Sequence, residues 1–432
     1  MNVSRLFVDI GPLRRSPELR SVFLGSVVSG VGSQMVLVAL PYQVYVLTGS
    51  PLMTGMVGAV GLLPIFVMAI YGGTLVDRYD RRIVLLLDQL VLIGITIALA
   101  LVSLLPSPPV GLLLLLAGVT AGAGVLQQIA RAAIIPNLVP REEMKAAIVL
   151  HFVLFRFAFI VGPALAGVMI TAFGVATVYA FAGVLCSGIL IAVVRLRPQR
   201  PAATANSTGR LVAEGLRFVA GNDWLKGVIA IDLIANTFAM PRALFPVLAV
   251  SVFNAGASGT GVLHASVAVG AAVTGLTAGW LAHVSRLGRV LLAAILIWGV
   301  AVALAGFAGS LWFAALMFAV AGGADSIGAA CRSAISHTVT PDVVRGRMSS
   351  VYSLGLAVGP RAGDMAAGSM GSLVGAGTAV TAGGILSAAG ALLLVARIPA
   401  LVRYDSRDWL SGDRTRAQEG TLHREHEVAP LG

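Results

Sequence analysis

Residues 72–86, with the sequence GGTLVDRYDRRIVLL, place a short charged segment between two apolar runs. The run that follows, VLLLDQLVLIGITIALALVSLL at 84–105, contains the ~20 residues that a helix needs to cross the hydrocarbon core of a membrane. The next run, GLLLLLAGVTAGAGVLQQIA at 111–130, has the same character. We therefore predict that 72–86 contains the loop between two membrane-spanning helices.

Apolar runs of this kind continue along nearly the whole chain. Of its 432 residues only 11% are charged, whereas a soluble domain has about 25%. The runs are continuous rather than alternating, which excludes a membrane β-barrel. The sequence predicts an all-α membrane protein with twelve transmembrane helices in two six-helix halves. The predicted spans are 20–47, 52–76, 83–105, 109–130, 146–171, 174–195, 225–250, 258–283, 289–308, 310–330, 348–372 and 376–396.

The turns between the predicted spans fall into two sets that differ in charge. One set, TGSP, PSPP, FGVA, FNAGASG, GFAGS and LVGAG, contains no Lys or Arg. The other set contains nearly all the basic residues, and we assign Arg131 and Arg332 to it. Because basic loops stay on the cytoplasmic side, we expect both termini to be cytoplasmic and the chain to be a multi-pass protein of the plasma membrane. This distribution accounts for the net charge of +11 without nucleic-acid binding.

A repeat relates the two halves. RAAIIPNLVP begins at Arg131 and RSAISHTVTP begins at Arg332, a separation of 201 residues (332 − 131). The same separation pairs Gly162 with Gly363, and Gly167 with Gly368. Parallel repeats of this kind occur in secondary transporters that bind substrate between the halves near mid-membrane. The predicted organisation is an N-terminal half at 1–195, a cytoplasmic linker at 196–222, a C-terminal half at 223–396 and a cytoplasmic tail at 397–432.

The segment 72–86 resembles the loop signature of the major facilitator superfamily, Gly-x-Leu-Ala-Asp-Arg-x-Gly-Arg-Arg-x-x-Leu, and departs from it at Val76 and Asp80. In that family the acid and the basic residues of the loop hold the cytoplasmic side closed and release it during alternating access. Alternatively, the arginines act only as anchors of topology. The resemblance implies a cytoplasmic gate at Gly73, Asp77, Arg78 and Arg81.

The fifth span contains AFIVGPALAG at 158–167, and a Gly-Pro pair in a membrane helix bends it and leaves room for a neighbour. This segment resembles the antiporter motif of exporting facilitators, although alanines replace two of its glycines. The resemblance favours export over import. The antiporter-like bend is assigned to Gly162, Pro163 and Gly167.

Further motifs narrow the resemblance. Arg156 precedes the Gly-Pro pair, MPRALFP contains Arg242, and GPRAGDMAAG contains Arg361 and Asp364. Together with LVPREEM and RGRM, they resemble the enterobactin-exporter group of drug and siderophore efflux proteins. The resemblance covers nearly all the chain up to about residue 396, but it does not identify the cargo.

Ionisable residues inside membrane helices cost free energy unless they are paired or face water, so they are candidates for function. Asp88 is expected to join Arg81 or Arg82 at the cytoplasmic face. Asp325 lies close to the predicted helix end at Ala330, where a structural bond is as plausible as a transport role.

Arg361 and Asp364 stand three residues apart and therefore share one face of the eleventh span. An arginine beside a carboxylate in a membrane suggests a group that can exchange a proton during transport; alternatively, the two residues form a structural pair that satisfies its own charges. Asp364 is the preferred coupling residue and Asp232 the next. The full set of candidates for coupling or substrate binding is Asp364, Arg361, Asp232, Arg242, Arg156 and Asp325.

The predicted function is secondary active export of small organic molecules, either drug-like or siderophore-like, by proton antiport and alternating access. The alternatives are uptake of a nutrient, or a membrane-embedded sensor or enzyme on a transporter fold. The chain contains neither HExxH nor the P-loop GxxxxGK[ST], so neither zinc chemistry nor ATP hydrolysis is predicted. We expect no enzyme activity and no cofactor or metal; the partners are a small-molecule substrate, protons and the lipid bilayer, and the chain acts as a monomer.

Overall fold

The computed structural model describes residues 16–139, 143–197, 217, 221, 223–339, 345–399 and 402. Within these residues all regular secondary structure is helical, which confirms the predicted all-α class. Thirteen longer α-helices follow one another along this part of the chain. They are α1 (Pro17–Thr48), α2 (Pro51–Ala59), α3 (Leu62–Arg78), α4 (Arg81–Ser103), α5 (Val110–Leu138), α6 (Met144–Phe173), α7 (Val175–Val194), α8 (Asp223–Phe238), α9 (Gly256–Thr277), α10 (Leu287–Gly306), α11 (Leu311–Val339), α12 (Arg345–Val374) and α13 (Ala376–Arg397).

Eleven helical segments of the described chain are long and apolar enough to cross a membrane. α2 and α3 together make one of them, Pro51–Arg78, and α8 with the turns after it makes another, Leu225–Val252. The predicted span at 348–372 corresponds to α12, which is not among the eleven. It has 30 residues, enough to cross, and is the most polar of the long helices. With α12 included, the described helices match the twelve predicted spans.

Two of the described spans are interrupted, and the span of α9 continues as a 3-10 helix at Ala278–His283. α2 and α3 are separated by a turn at Val60 and Gly61. After α8, a 3-10 turn at Arg242–Leu244 and a π-helical turn at Leu248–Val252 replace regular helix. Proline explains this second break, because Pro241 has no N–H to donate and its ring disfavours a preceding helical turn. The break places Arg242 on an irregular segment inside the membrane.

The buried residues pack mainly within two groups of helices. α1 packs on α6 and α7, while α10 packs on α11 and α13. We call α1–α7 the N-terminal half and α8–α13 the C-terminal half. The most extensive contacts between the halves join α2 to α12 and α6 to α9. The predicted linker at 196–222 and tail at 397–432 lie almost entirely outside the described residues.

Candidate functional site

The two halves meet through close glycine contacts. A methyl group built on Gly368 of α12 would stand 2.7 Å from the Cα of Gly55 on α2. A methyl group built on Gly167 of α6 would stand 3.1 Å from the Cα of Gly261 on α9. At these distances the backbones themselves are in contact, as small residues allow between membrane helices. These four glycines, together with Gly58 of α2, form what we call the glycine seam.

The glycine seam lies on one side of the protein. α2 and α9 begin on the side of the turns that lack basic residues, and α6 and α12 end there. Near the same side, the hydroxyl groups of Tyr45 on α1 and Ser251 are hydrogen-bonded between the halves at 2.5 Å. The halves are therefore closed against each other on the side that lacks basic loops.

The contacts of the seam follow the sequence repeat. A methyl group on Gly162 would stand 2.9 Å from a carbonyl oxygen of α1, and one on its repeat partner Gly363 would stand 2.5 Å from a carbonyl oxygen of α8. The second pair, Gly167 and Gly368, makes the contacts that cross between the halves. In each half, the first glycine thus packs on the first helix of its own half and the second packs on the opposite half.

The residues of the predicted antiporter-like bend all lie in these close helix contacts. α6 continues through Pro163 from Met144 to Phe173 without interruption. The carbonyl oxygen of Pro163 lies 2.6 Å from the position of a methyl group on Gly261. Gly162 and Gly167 flank it on the α1 and α9 sides. The role of this segment in export stays a prediction.

Asp364 lies in the glycine seam. A methyl group on Gly58 would stand 2.7 Å from the Oδ2 atom of Asp364, so the carboxylate packs on the backbone of the opposite half. Its Oδ1 atom is buried and makes no hydrogen bond within the described residues. The charged groups that act on this carboxylate are the predicted neighbour Arg361 and also Arg242, from the irregular segment after α8. The seam therefore contains a carboxylate between two arginines.

A second charge cluster surrounds Arg332 on α11. Its Nε atom lies 2.8 Å from Oδ1 of Asp232 on α8, and its Nη2 atom donates a hydrogen bond of 3.2 Å to Oδ1 of Asp325. Asn236 adds a hydrogen bond of 3.1 Å to Asp232. We call Arg332, Asp232 and Asp325 the arginine triad. It joins two candidate residues through an arginine that is not among the candidates from the sequence.

The arginine triad corrects two predictions. The sequence predicts Arg332 in a cytoplasmic loop, but this residue is only 1% exposed and lies inside α11, which continues to Val339. The sequence also predicts Asp325 near a helix end, but in the longer helix it lies midway along α11. The predicted end at Ala330 is too early because burial beside acids allows an arginine to remain within the protein interior.

The N-terminal half contains a related pair. Arg131 is also predicted in a loop, yet it lies inside α5 and is 8% exposed. Its charge acts on Asp88 of α4, which is 4% exposed. Asp88 therefore lies within electrostatic range of Arg131, and the expectation that it joins Arg81 or Arg82 is wrong. Those two arginines donate hydrogen bonds to backbone carbonyl groups of α5 and α7 in their own half.

The predicted cytoplasmic gate lies at the turn between α3 and α4. Asp77 and Arg78 are exposed, and Gly73 is half-buried. The Arg78 guanidinium lies 5.9 Å from the ring centre of Tyr79. Asp77 makes no ion pair with the residues that the structure describes. Asp80, where the family signature has glycine, accepts a hydrogen bond of 2.9 Å from the Arg82 backbone N–H and caps α4.

The remaining candidate, Arg156, lies half-buried on α6.

The sequence did contain a signal for the two buried arginines that it assigned to loops, because Arg131 and Arg332 begin the two copies of the repeat. A repeated arginine at the end of an apolar run is compatible with a loop anchor as well as with a buried charge. Only the neighbouring helices distinguish between these two.

Comparison with known proteins places the chain in a family. Residues 9–428 match the family model described as "Transmembrane secretion effector". The enterobactin exporter EntS of Citrobacter koseri is 28% identical over 383 residues, which cover 87% of this chain and 90% of the exporter. The EntS protein of Salmonella choleraesuis is 29% identical over 384 residues, with the same coverage of both chains.

Solved structures with the same fold are transporters. A mutant form of the nucleoside transporter NupG has a TM-score of 0.71 at 13% identity, and the match covers 89% of this chain and 100% of that one. A bacterial homolog of the human lysosomal transporter Spinster, inward-facing and unoccupied, has a TM-score of 0.66 at 16% identity. That match covers 93% of this chain and 98% of the homolog. With its twelve spans, its repeat and the match over nearly its whole length, the chain belongs to the transmembrane secretion effector family of major facilitator transporters.

Proposed function

We propose that this chain exports small organic molecules from the cytoplasm by proton antiport and alternating access. The observation that carries the proposal is the closure of the halves at the glycine seam, on the side that lacks basic loops, with the carboxylate of Asp364 inside it. The basic loops assign the opposite side, with both termini, to the cytoplasm of the cell. With this orientation, the structure represents a state that is closed to the outside.

Asp364 suits the role of coupling residue because its surroundings change when the halves separate. In the closed seam it packs on Gly58 and is removed from the outer solvent. Separation of α2 from α12 would expose the carboxylate to the outside, where a proton can bind. A protonated carboxyl packs between apolar helices at a lower cost than a carboxylate, so proton binding favours reclosure. One proton would then enter for each cycle of export.

The cargo class follows from the charges near the seam and from the relatives. Arg361 and Arg242 together exceed the single charge of Asp364, so this part of the seam has one net positive charge while Asp364 is ionised. An anionic group of a siderophore-like cargo would be attracted there. The relatives named as enterobactin exporters support this class. Drug-like molecules are the second class to be tested, and we propose that the chain works as a monomer in the plasma membrane.

The test is transport in inverted membrane vesicles that carry the full-length chain. Siderophores and drug-like cations are offered in parallel, with and without an imposed pH gradient, and empty vesicles provide the background. Accumulation of a cargo that disappears when a protonophore collapses the gradient is the expected result. Accumulation that does not depend on the gradient would exclude proton antiport. If a correctly folded chain moves none of them, a sensor function is favoured instead.

A further inference from the structure

The arginine triad differs from the buried pair of the N-terminal half in its charge. Among the described residues, Arg131 has one acid that acts on it, Asp88, so the two charges are equal and opposite when both groups are ionised. Arg332 occupies the equivalent position of the repeat but contacts two carboxylates, at 2.8 Å and 3.2 Å. When every group of the triad is ionised, it therefore has one excess negative charge. The repeat preserves the arginine while the number of acids differs.

An excess charge at this depth is costly. The Arg332 side chain is 2% exposed and that of Asp232 is 9% exposed, and Asp325 lies midway along a helix that spans the membrane. Charges removed from water lose several kcal/mol of solvation unless a partner compensates each of them. One arginine cannot compensate two carboxylates fully. A proton on one of the two acids removes the excess.

The contacts distinguish between the two acids. Asp232 has the shorter contact with Arg332, at 2.8 Å, and a further hydrogen bond from Asn236. Asp325 has the longer contact, at 3.2 Å, and its side chain is 30% exposed. Donors that favour the ionised form are therefore concentrated on Asp232. Asp325 is the less buried of the two acids, and a group that exchanges protons needs such access.

The other charged groups around Asp325 are few. α8, α9 and α10 pack on α11. Besides Asp232, α8 contains Asp223 and Lys226 toward its start, α9 contains His264, and α10 contains Arg289 in its first turn. Arg242, on the segment after α8, also acts electrostatically on the region between Asp325 and Asp364. Arg242 thus lies within electrostatic range of both Asp325 and Asp364.

We propose that the arginine triad is a one-proton site, in which Asp325 takes up and releases the proton and Arg332 is the positioning residue. The proton passes from water to a carboxylate oxygen of Asp325 and returns to water, while Asp232 stays ionised as the partner of Arg332. The role of this site in transport rests on the proton antiport proposed above. The site itself is a property of the chain and can be tested without a cargo.

The test follows the infrared band of protonated carboxyl groups in the purified full-length chain in lipid nanodiscs, from acidic to alkaline pH. All samples contain Asp364→Asn, so that the seam carboxyl does not contribute to the band. We expect a protonated carboxyl that persists toward neutral pH in this background and is lost when Asp325→Asn is added. All samples also contain Asp88→Asn, because the Asp88 carboxyl is buried as well and would contribute to the band. The matched control is Glu18→Gln, which removes an exposed acid and should leave the band unchanged. Loss of the band in the Glu18 variant, or its persistence in the Asp325 variant, would overturn the proposal.

A second variant covers the case in which Asp325→Asn does not fold. Arg332→Lys keeps the positive charge but replaces the two nitrogen atoms that contact Asp232 and Asp325 separately by a single one. We expect Asp325 to keep its proton at more alkaline pH in this variant, with a change in proton affinity of about tenfold or more. An unchanged titration would refute the positioning role of Arg332.

Transport by the unmodified chain separates this proposal from the proposed function. If export in vesicles does not depend on the pH gradient while the carboxyl band is lost in the Asp325 variant, proton antiport is wrong and the one-proton site stands. If export does depend on the gradient and the band is unaffected, the antiport stands and the coupling group is elsewhere.

Discussion

Replacement of Gly368 by alanine should open the glycine seam. The added methyl group would stand 2.7 Å from both the Cα of Gly55 and the carbonyl oxygen of Pro51. Both are backbone atoms of a helix, which cannot rotate away as a side chain can. Relief therefore requires α12 to move away from α2. Overpacking of this kind costs about 1–3 kcal/mol, which corresponds to a shift of about 5-fold to about 150-fold in the ratio of closed to open protein.

The assay is the distance between spin labels on the side of the seam. Phe173 at the end of α6 and Phe307 directly after α10 have exposed side chains and are suitable for replacement by cysteine. The native residues Cys186 and Cys331 are buried and are replaced beforehand to exclude background labelling. In the unmodified chain we expect one short distance. Gly368→Ala should add a population at a longer distance.

Two further variants control the interpretation. Gly94→Ala adds a methyl group where no atom lies within 4 Å, so the distance distribution should stay unchanged. Gly167→Ala meets a carbonyl oxygen of α9 at 2.9 Å and should lengthen the distance in the same direction as Gly368→Ala. If Gly368→Ala and Gly94→Ala give the same distribution, the seam does not hold the halves closed and the reasoning fails.

Three other outcomes are expected. Asp364→Asn should insert normally but lose the pH-gradient dependence of export in vesicles, because an amide cannot bind and release the proton; unaltered dependence would direct the search to Asp232 or Asp325. Asp77→Asn should insert and bind cargo as before but turn over more slowly, which initial rates of export will measure; equal rates would reduce the loop to a topology anchor. A cysteine at Phe307 should react with an impermeant thiol reagent from outside intact cells, whereas one at Tyr79 should not, and the reverse pattern would invert the proposed orientation.

Much of the fold could be predicted because its causes are local. A membrane helix must be apolar over a fixed length, so each span can be recognised from its own residues. The glycine repeat could likewise be read along the chain. Gly167 and Gly368 are paired by their spacing, and the structure shows them in equivalent contacts between the halves. Where two helices touch through their backbones, only a small residue fits, and the glycine at that position is visible in the sequence.

The tertiary structure decided where the charges lie and which of them meet. Hydropathy ends a span at the first arginine, yet α5 and α11 continue past Arg131 and Arg332. Each buried arginine has an acid from another helix within electrostatic range: Asp88 from α4 acts on Arg131, and Asp232 from α8 forms an ion pair with Arg332. The stability of a buried charge depends on partners that are distant along the chain, and no local pattern of residues contains that information.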